Sequence, residues 1–493
     1  MKHNQHVYTL NCADEEKEMK TGGQNMQTKQ EQLFRDTSVW KAIFQMAVPS
    51  MVSIVVMIFY NMADMLFVGQ TGDTAQVAAV SIVGPVFTVM MAIGTMLGGG
   101  GCVLIARTLG EKDDGKVKLY SSLCCWGSLV FGVIFTVLVL LFSTPLLHFL
   151  GANEEIWDYA KTYLTVLAIG APVMIFTTGF GSIIRAEGAI KEGMIGNLLG
   201  TVTNIILDPV FILGLRLGVG GAAVATVLGN AVGAVYYVYY VKKKETNFTL
   251  SPVYARQDPW AIRKVLAIGI PNAMNSVLVG FASAVANQLL VQYGTNAVAA
   301  MAAAGKSTMV ISMIQMGICM GVQPLLAYCY GEKNIPRIRE TLVKLSALTI
   351  GIGLAVTVLC LANSRTVIAL FLKDAEALAL GQEIISLLVL SGPFLGLYYI
   401  GSNFLQAAGN APLATLVSML RQGIIFLPLL FLLNAAFGVK GNVLAHVISD
   451  IASAIIAVIL ALRQYRILKS GEEIKNCAKD DKNRNKKGTK DCL

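Results

Sequence analysis

Two carboxylates in this 493-residue chain stand where a carboxylate is costly: Asp64 and Asp208 each lie inside a long apolar run. Carrying an acid to the centre of a hydrocarbon layer costs about 2.5–3.5 kcal/mol on insertion scales, so an acid placed there marks an ion or substrate path by default. Each has an amide at helical spacing. Asn61 precedes Asp64 by three residues and Asn204 precedes Asp208 by four, which puts each pair on one helix face. Asn197 and Thr201 continue the second stripe towards the start of its run. Pro209 follows Asp208 directly. It removes the hydrogen bond to the carbonyl of residue 205 and bends the helix. A freed carbonyl, an amide and a carboxylate form an oxygen-rich set that suits a proton or a sodium ion. Asp208 and Asn204 are therefore the candidate sodium ligands, and no other metal is expected.

Other polar residues in apolar runs bear on a cavity. Lys306 lies well inside its run and needs either a partner or a hydrated surface. Asp450 follows His446 by four residues, so the two can pair on one face. Arg421 reads as a packing or gating residue. Methionines crowd two runs, among them Met62 and Met313; flexible thioethers suit a pocket for molecules of varied shape. Asn197, Asn287, Lys306, Met62 and Met313 are the candidate cavity residues. Enzyme chemistry is not expected. The sequence has no Walker A motif, its four histidines are scattered, and the four glycines at 98–101 sit inside an apolar run, where close helix packing explains them better than a phosphate loop. No cofactor is implied.

The elements that must carry these residues are membrane helices. Hydrophobic residues make up 55% of the chain and charged residues 14%, against about 25% charged in soluble proteins. Mean hydropathy is +0.62. Twelve apolar runs cover 40–68, 76–106, 117–149, 155–187, 190–215, 218–242, 260–291, 295–328, 340–363, 378–407, 411–437 and 441–465. Each exceeds the ~20 residues that cross a hydrocarbon core. Basic residues gather in every second loop: Arg107, Lys112, Lys116 and Lys118 after the second span, Lys242 to Lys244 after the sixth, Lys333, Arg337 and Arg339 after the eighth. By the positive-inside rule both termini are cytoplasmic. The net charge of +9 belongs to these loops and to the tails, so nucleic acid is not a partner. Residues 1–38 contain no apolar stretch of signal-peptide type, and the cysteines lie mostly within spans, without metal-ligand spacing.

The spans repeat. ARTLGEKD at 106–113 returns as AYCYGEKN at 327–334, AEGA at 186–189 as AAGNA at 407–411, and Gly218–Val219 with Gly221 as Gly438–Val439 with Gly441. Matches in one order at a near-constant offset are the mark of duplication. The expected fold is an all-α polytopic membrane protein of twelve transmembrane helices in two pseudo-symmetric six-helix lobes around a central cavity. The expected divisions are a cytoplasmic tail (1–38), a first lobe (39–243), a linker (244–259), a second lobe (260–466) and a basic tail (467–493). Six helices per half give both halves one orientation, an arrangement that supports alternating access by rocking.

The segments NMADMLFVGQTG at 61–72, IRAEGA at 184–189, NIILDPVF at 204–211 and LRQGIIFLPL at 420–429 resemble those of the multidrug and toxic compound extrusion (MATE) family, and most closely its DinF-like or MepA-like bacterial branch. The resemblance covers nearly all of 40–465. It implies an antiporter in the cytoplasmic membrane that exports small organic cations against inward flow of H+ or Na+, working as a monomer among membrane lipids. It maps the family's coupling acid onto Asp208, its motif asparagine onto Asn204, and the acid of the first span onto Asp64; Thr201 and Asn61 complete the expected coupling set. A sodium-coupled branch also carries acids in spans 7 and 10. Span 7 of this chain has amides, Asn272 and Asn275; the inner part of span 10 has Asn403 and Gln406, with Glu383 near its outer end. A flippase for a lipid-linked saccharide or another amphipathic metabolite is the alternative. It needs a strongly cationic cavity, and Lys306 and Arg421 are few for that purpose.

Overall fold

In a computed structural model of the protein, residues 32–70, 73–244, 246–369, 372 and 374–488 are described; for 58, 59, 61–65, 69, 74, 295 and 472–488 the description covers the backbone alone. Among the described residues there is no strand. Twelve helices among the described residues are long and apolar enough to cross a membrane. They are α1 (Val39–Gly69), α2 (Thr74–Gly110), α3 (Asp114–Leu141), α4 (Trp157–Ala186), α5 (Ile190–Pro209), α6 (Gly218–Lys243), α7 (Ile262–Val291), α8 (Thr295–Glu332), α9 (Ile335–Ala362), α10 (Ala375–Ala407), α11 (Ala411–Phe437) and α12 (Val439–Gly488). The third differs from expectation: α3 ends at Leu141, and a separate short helix, Ser143–Phe149, follows it.

The duplication is visible in the backbone. After α2 and after α8 the chain turns through a left-handed lysine, Lys112 (φ 59) and Lys333 (φ 61). The next residue then caps the following helix: Asp113 accepts from the Lys116 amide at 3.1 Å and Asn334 from the Arg337 amide at 3.2 Å. Gly188 and Gly409 take positive φ in matching loops, as do Gly218 and Gly438. An L side chain is strained in that region, which is why these glycines recur.

Outward faces are apolar. Val130, Val133, Val137 and Leu141 form an exposed stripe on α3, and Val343, Leu354, Val358 and Leu361 do so on α9. In water such stripes would be a liability; in lipid they are the solvent-facing surface. Inside a lobe, glycines let backbones touch. A Cβ on Gly200 of α5 would lie 2.8 Å from the Gly229 carbonyl oxygen of α6, and a Cβ on Gly229 would lie 2.6 Å from that of Gly200. This close crossing seats Asn204 and Asp208 against α6.

Candidate functional site

Asn204 and Asp208 lie on the buried face of α5, at 2% and 0% exposure. The Asn204 amide donates to Asp208 Oδ1 at 3.4 Å and lies 3.4 Å from the hydroxyl of Thr226 on α6. The Thr226 hydroxyl in turn meets the Tyr60 hydroxyl of α1 at 3.3 Å, and the Thr226 carbonyl accepts from Asn230 at 2.9 Å. Asn204 Oδ1 is buried and makes no hydrogen bond among the described residues. A buried amide oxygen left bare beside a carboxylate costs about 1–3 kcal/mol unless something binds it. Carboxylate, amide oxygen and hydroxyl are hard oxygen donors, which suits a proton or a small monovalent cation. Among the described residues no cluster of three or more His, Cys, Asp or Glu suits a transition metal.

The helix changes form at this point. Beyond Pro209 the chain makes one π turn, Val210–Gly214, closed by the Leu215 amide on the Val210 carbonyl at 2.8 Å. Such turns favour functional sites because they unsettle the regular ladder.

The expected site residues fall into groups. Asn204 and Asp208 come together as their spacing implies. Thr201 is half-buried and its hydroxyl makes no hydrogen bond among the described residues, and Asn197 is exposed, two turns from the cluster. Asn61, Met62 and Asp64 belong to α1, but their side chains lie outside the described residues. Thr226, which meets Asn204, and Tyr60, which meets Thr226, carried no sequence signal as members of this cluster; only the four-residue spacing of Thr226 and Asn230 hinted at a polar face.

The two lobes meet at the end of the molecule that bears both chain ends, here called the basal face. A Cβ on Gly269 of α7 would lie 1.8 Å from the Met96 carbonyl oxygen of α2, and one on Gly100 would lie 1.9 Å from that of Val265. Gly110 and Gly331 join α2 to α8 in the same way, at 2.2 and 2.1 Å from facing carbonyl oxygens. On α8, Gly317 faces Met51 and Ile54 of α1, and Gly321 faces Met46 and Ser50. Away from the basal face these contacts cease. Gly280 lies on the same face of α7 as Gly269, yet a Cβ there would meet nothing within 4 Å. Lys306 lies on the Gly317 face of α8 and is exposed; Met313 between them is half-buried, and Asn287 on α7 is exposed. The lobes therefore splay into a cleft opening opposite the basal face, and Lys306 is exposed there, the second of the two settings its position allowed. Below the seal lies a separate cavity of about 550 Å³, lined by Arg107, Glu111, Lys112, Tyr330, Glu332 and Lys333.

The amides of α7 and α10 bind one another. Gln323 of α8 donates to Gln406 at 3.2 Å, and Gln406 donates to Asn272 at 3.2 Å. Asp450 does not pair with His446 as its spacing suggested. Its carboxylate takes the guanidinium of Arg421, 2.8 Å from Nε, while the His446 ring packs on Phe426 with centroids 4.3 Å apart. A charged fork outcompetes an imidazole for a carboxylate wherever both can reach it.

The MatE family model matches residues 49–210 and again 271–432, one match in each half. The multidrug export protein MepA of Staphylococcus saprophyticus is 31% identical over 435 residues, covering 88% of this chain and 96% of that protein. The solved structure of a MATE protein in the bent conformation superposes with a TM-score of 0.84 at 25% identity, over 90% of this chain and 99% of that one. An outward-facing multidrug resistance MATE transporter of the MOP superfamily does so with a TM-score of 0.82 at 25% identity, over 89% and 98%.

Proposed function

Because this chain belongs to the MatE family, with both halves matched and a curated relative 31% identical along most of its length, we propose that it is a secondary active multidrug exporter. It exchanges small amphipathic organic cations for H+ or Na+ across the bacterial cytoplasmic membrane, with both termini inside. The observation that carries this reading is the buried Asp208–Asn204–Thr226 cluster, tied through Tyr60 to α1, the helix that borders the cleft.

The steps follow from charge and packing. With both termini inside, the cleft opens outward in this state and the basal face is sealed. A cation arriving from outside neutralises the Asp208 carboxylate and occupies the bare Asn204 Oδ1. Neutralisation removes a buried negative charge from the first lobe, which weakens that lobe's hold on a cationic cargo. By linkage, cargo and ion each lower the other's affinity. The π turn at Val210–Gly214 gives α5 a place to change its winding as the cluster fills or empties. Thr226 and Tyr60 carry that change to α1, which forms part of the lobe seal.

The test is cation-driven efflux of ethidium from proteoliposomes, with a pH gradient and then a sodium gradient. Asp208→Asn keeps the shape and removes the charge, so it should fold, bind ethidium and fail to respond to either gradient. Gradient-driven efflux at the wild-type rate from Asp208→Asn would sink the proposal.

A further inference from the structure

The second lobe contains a charge cluster that the coupling cycle above does not use. Arg421 is 8% exposed, inside a membrane-spanning helix. Its Nε lies 2.8 Å from Asp450 Oδ1 and its Nη1 donates to the Tyr399 hydroxyl at 3.3 Å. The guanidinium stands 4.8 Å from the Tyr398 ring centroid and 5.6 Å from that of Tyr399. The Arg421 carbonyl is also held, accepting from Ser449 at 2.5 Å. One carboxylate, one phenol oxygen and two aromatic faces together make a receptor for a monovalent cation.

The setting parallels the first lobe. Helices α5 and α11 are each the fifth of their half, and each makes one π turn, at Val210–Gly214 and at Leu420–Ile424. Yet the turns sit at different depths. Helix α5 runs 20 residues before its turn, whereas α11 runs 9. At 1.5 Å per residue, Asp208 lies about 27 Å along its helix and Arg421 about 15 Å along its own. The second cluster is thus nearer the basal seal. It is also wired to the cleft floor: the Tyr399 hydroxyl meets Ser312 of α8 at 2.8 Å, little more than a turn from Gly317, where α8 closes on α1.

We propose that Arg421 is a built-in cation, occupying the cation position of the second lobe so that this lobe binds no exchangeable ion. An arginine keeps its charge at any physiological pH, and its tether keeps it from leaving. The site is therefore always filled, Asp450 is always neutralised, and the Tyr399–Ser312 link holds α8 in the filled arrangement throughout the cycle. Only the first lobe alternates. Stability does not explain the pair, since a buried ion pair is often no better than apolar side chains of the same volume. The inference rests on the reading of Asp208 as the coupling acid and adds the ion count: one exchangeable cation per cycle.

The experiment measures ethidium affinity for the full-length protein in lipid vesicles while the activity of the coupling ion is varied. The slope of log Kd against log ion activity counts the ions displaced, and should be about one for wild type. Arg421→Gln empties the receptor but leaves Asp450, Tyr398 and Tyr399, so the slope should rise towards about two. Arg421→Gln with Asp450→Asn removes both charges and should return it to about one. A folded Arg421→Gln protein with the wild-type slope overturns the proposal. If that variant does not fold, the double variant decides: coupled transport with the wild-type slope supports the proposal, and loss of coupling in the folded double variant overturns it. Asp208→Asn tests the premise separately. A wild-type slope in that variant refutes the coupling role of Asp208, while the contrast between wild type and Arg421→Gln still counts ions in the second lobe.

Discussion

Replacing Gly269 by alanine should unseal the basal face. The new Cβ would stand 1.8 Å from the Met96 carbonyl oxygen and 2.6 Å from its carbon. Both are backbone atoms of α2, so no side chain can swing aside. Cβ contacts below 3.0 Å are essentially never seen, so α2 and α7 must part by about 1.2 Å or more; overpacking of that kind costs about 1–3 kcal/mol. The cost falls only on states in which the lobes meet at this face. Taking about 2 kcal/mol, the balance moves about 30-fold towards states with the seal parted. The assay is the distance between spin labels on Lys191→Cys and Arg339→Cys, both exposed near the basal face of opposite lobes, in a background free of other cysteines. Gly269→Ala should shift the distribution to longer distances and slow export, because the state with the basal face sealed becomes scarce. Gly280→Ala is the control: its Cβ meets nothing within 4 Å, so the distances should stay put, and the better helix former should add up to about 1 kcal/mol of stability. A folded Gly269→Ala protein with wild-type distances would refute the claim that this contact holds the seal.

Two further perturbations probe the fold and the cluster. Glu187, in the loop after α4, is 3% exposed and accepts from the Tyr240 hydroxyl at 2.7 Å; burial raises its carboxyl from the usual range to about 7. Its contribution is complete below the unfolded value near 4.5 and disappears as pH rises through about 7, a loss of the order of 3 kcal/mol. Wild-type Tm in detergent should therefore fall between pH 5 and pH 8 by linkage, and Glu187→Gln should flatten that slope; parallel slopes would rule this out. Thr226→Val removes the hydroxyl between Tyr60 and Asn204. A lost hydrogen bond of about 1 kcal/mol should weaken coupling-ion affinity about fivefold without changing ethidium binding at low ion activity, as read by titrating the ion against efflux rate.

What reached the sequence level was whatever obeys local periodicity. The twelve spans follow from the length of apolar runs, and the pairing of Asn204 with Asp208 follows from a four-residue spacing within one helix. The repeat was legible in Gly188 and Gly409, because a left-handed turn tolerates few residue types other than glycine and so keeps its spelling. Partners on other helices left no such trace. Thr226 and Tyr60 reach the Asp208 cluster only because Gly200 and Gly229 let α5 and α6 touch. Asp450 looked like the partner of His446, four residues away, but Arg421 takes it from a neighbouring helix with a longer and charged side chain. For Lys306 an apolar run left a partner and a hydrated surface equally open, and only the splay of the lobes decided for exposure.

By itself, then, the sequence determined a duplicated twelve-helix membrane protein with a costly acid beside a proline in its fifth span. Periodicity and hydropathy are properties of one helix in lipid, and they need no neighbour to be read. The tertiary structure alone decided which end of the molecule is sealed, which helices complete the Asp208–Asn204 cluster, and which acid is paired with an arginine. Each of these depends on how close two backbones come. That distance is set by where glycines on different helices happen to face each other.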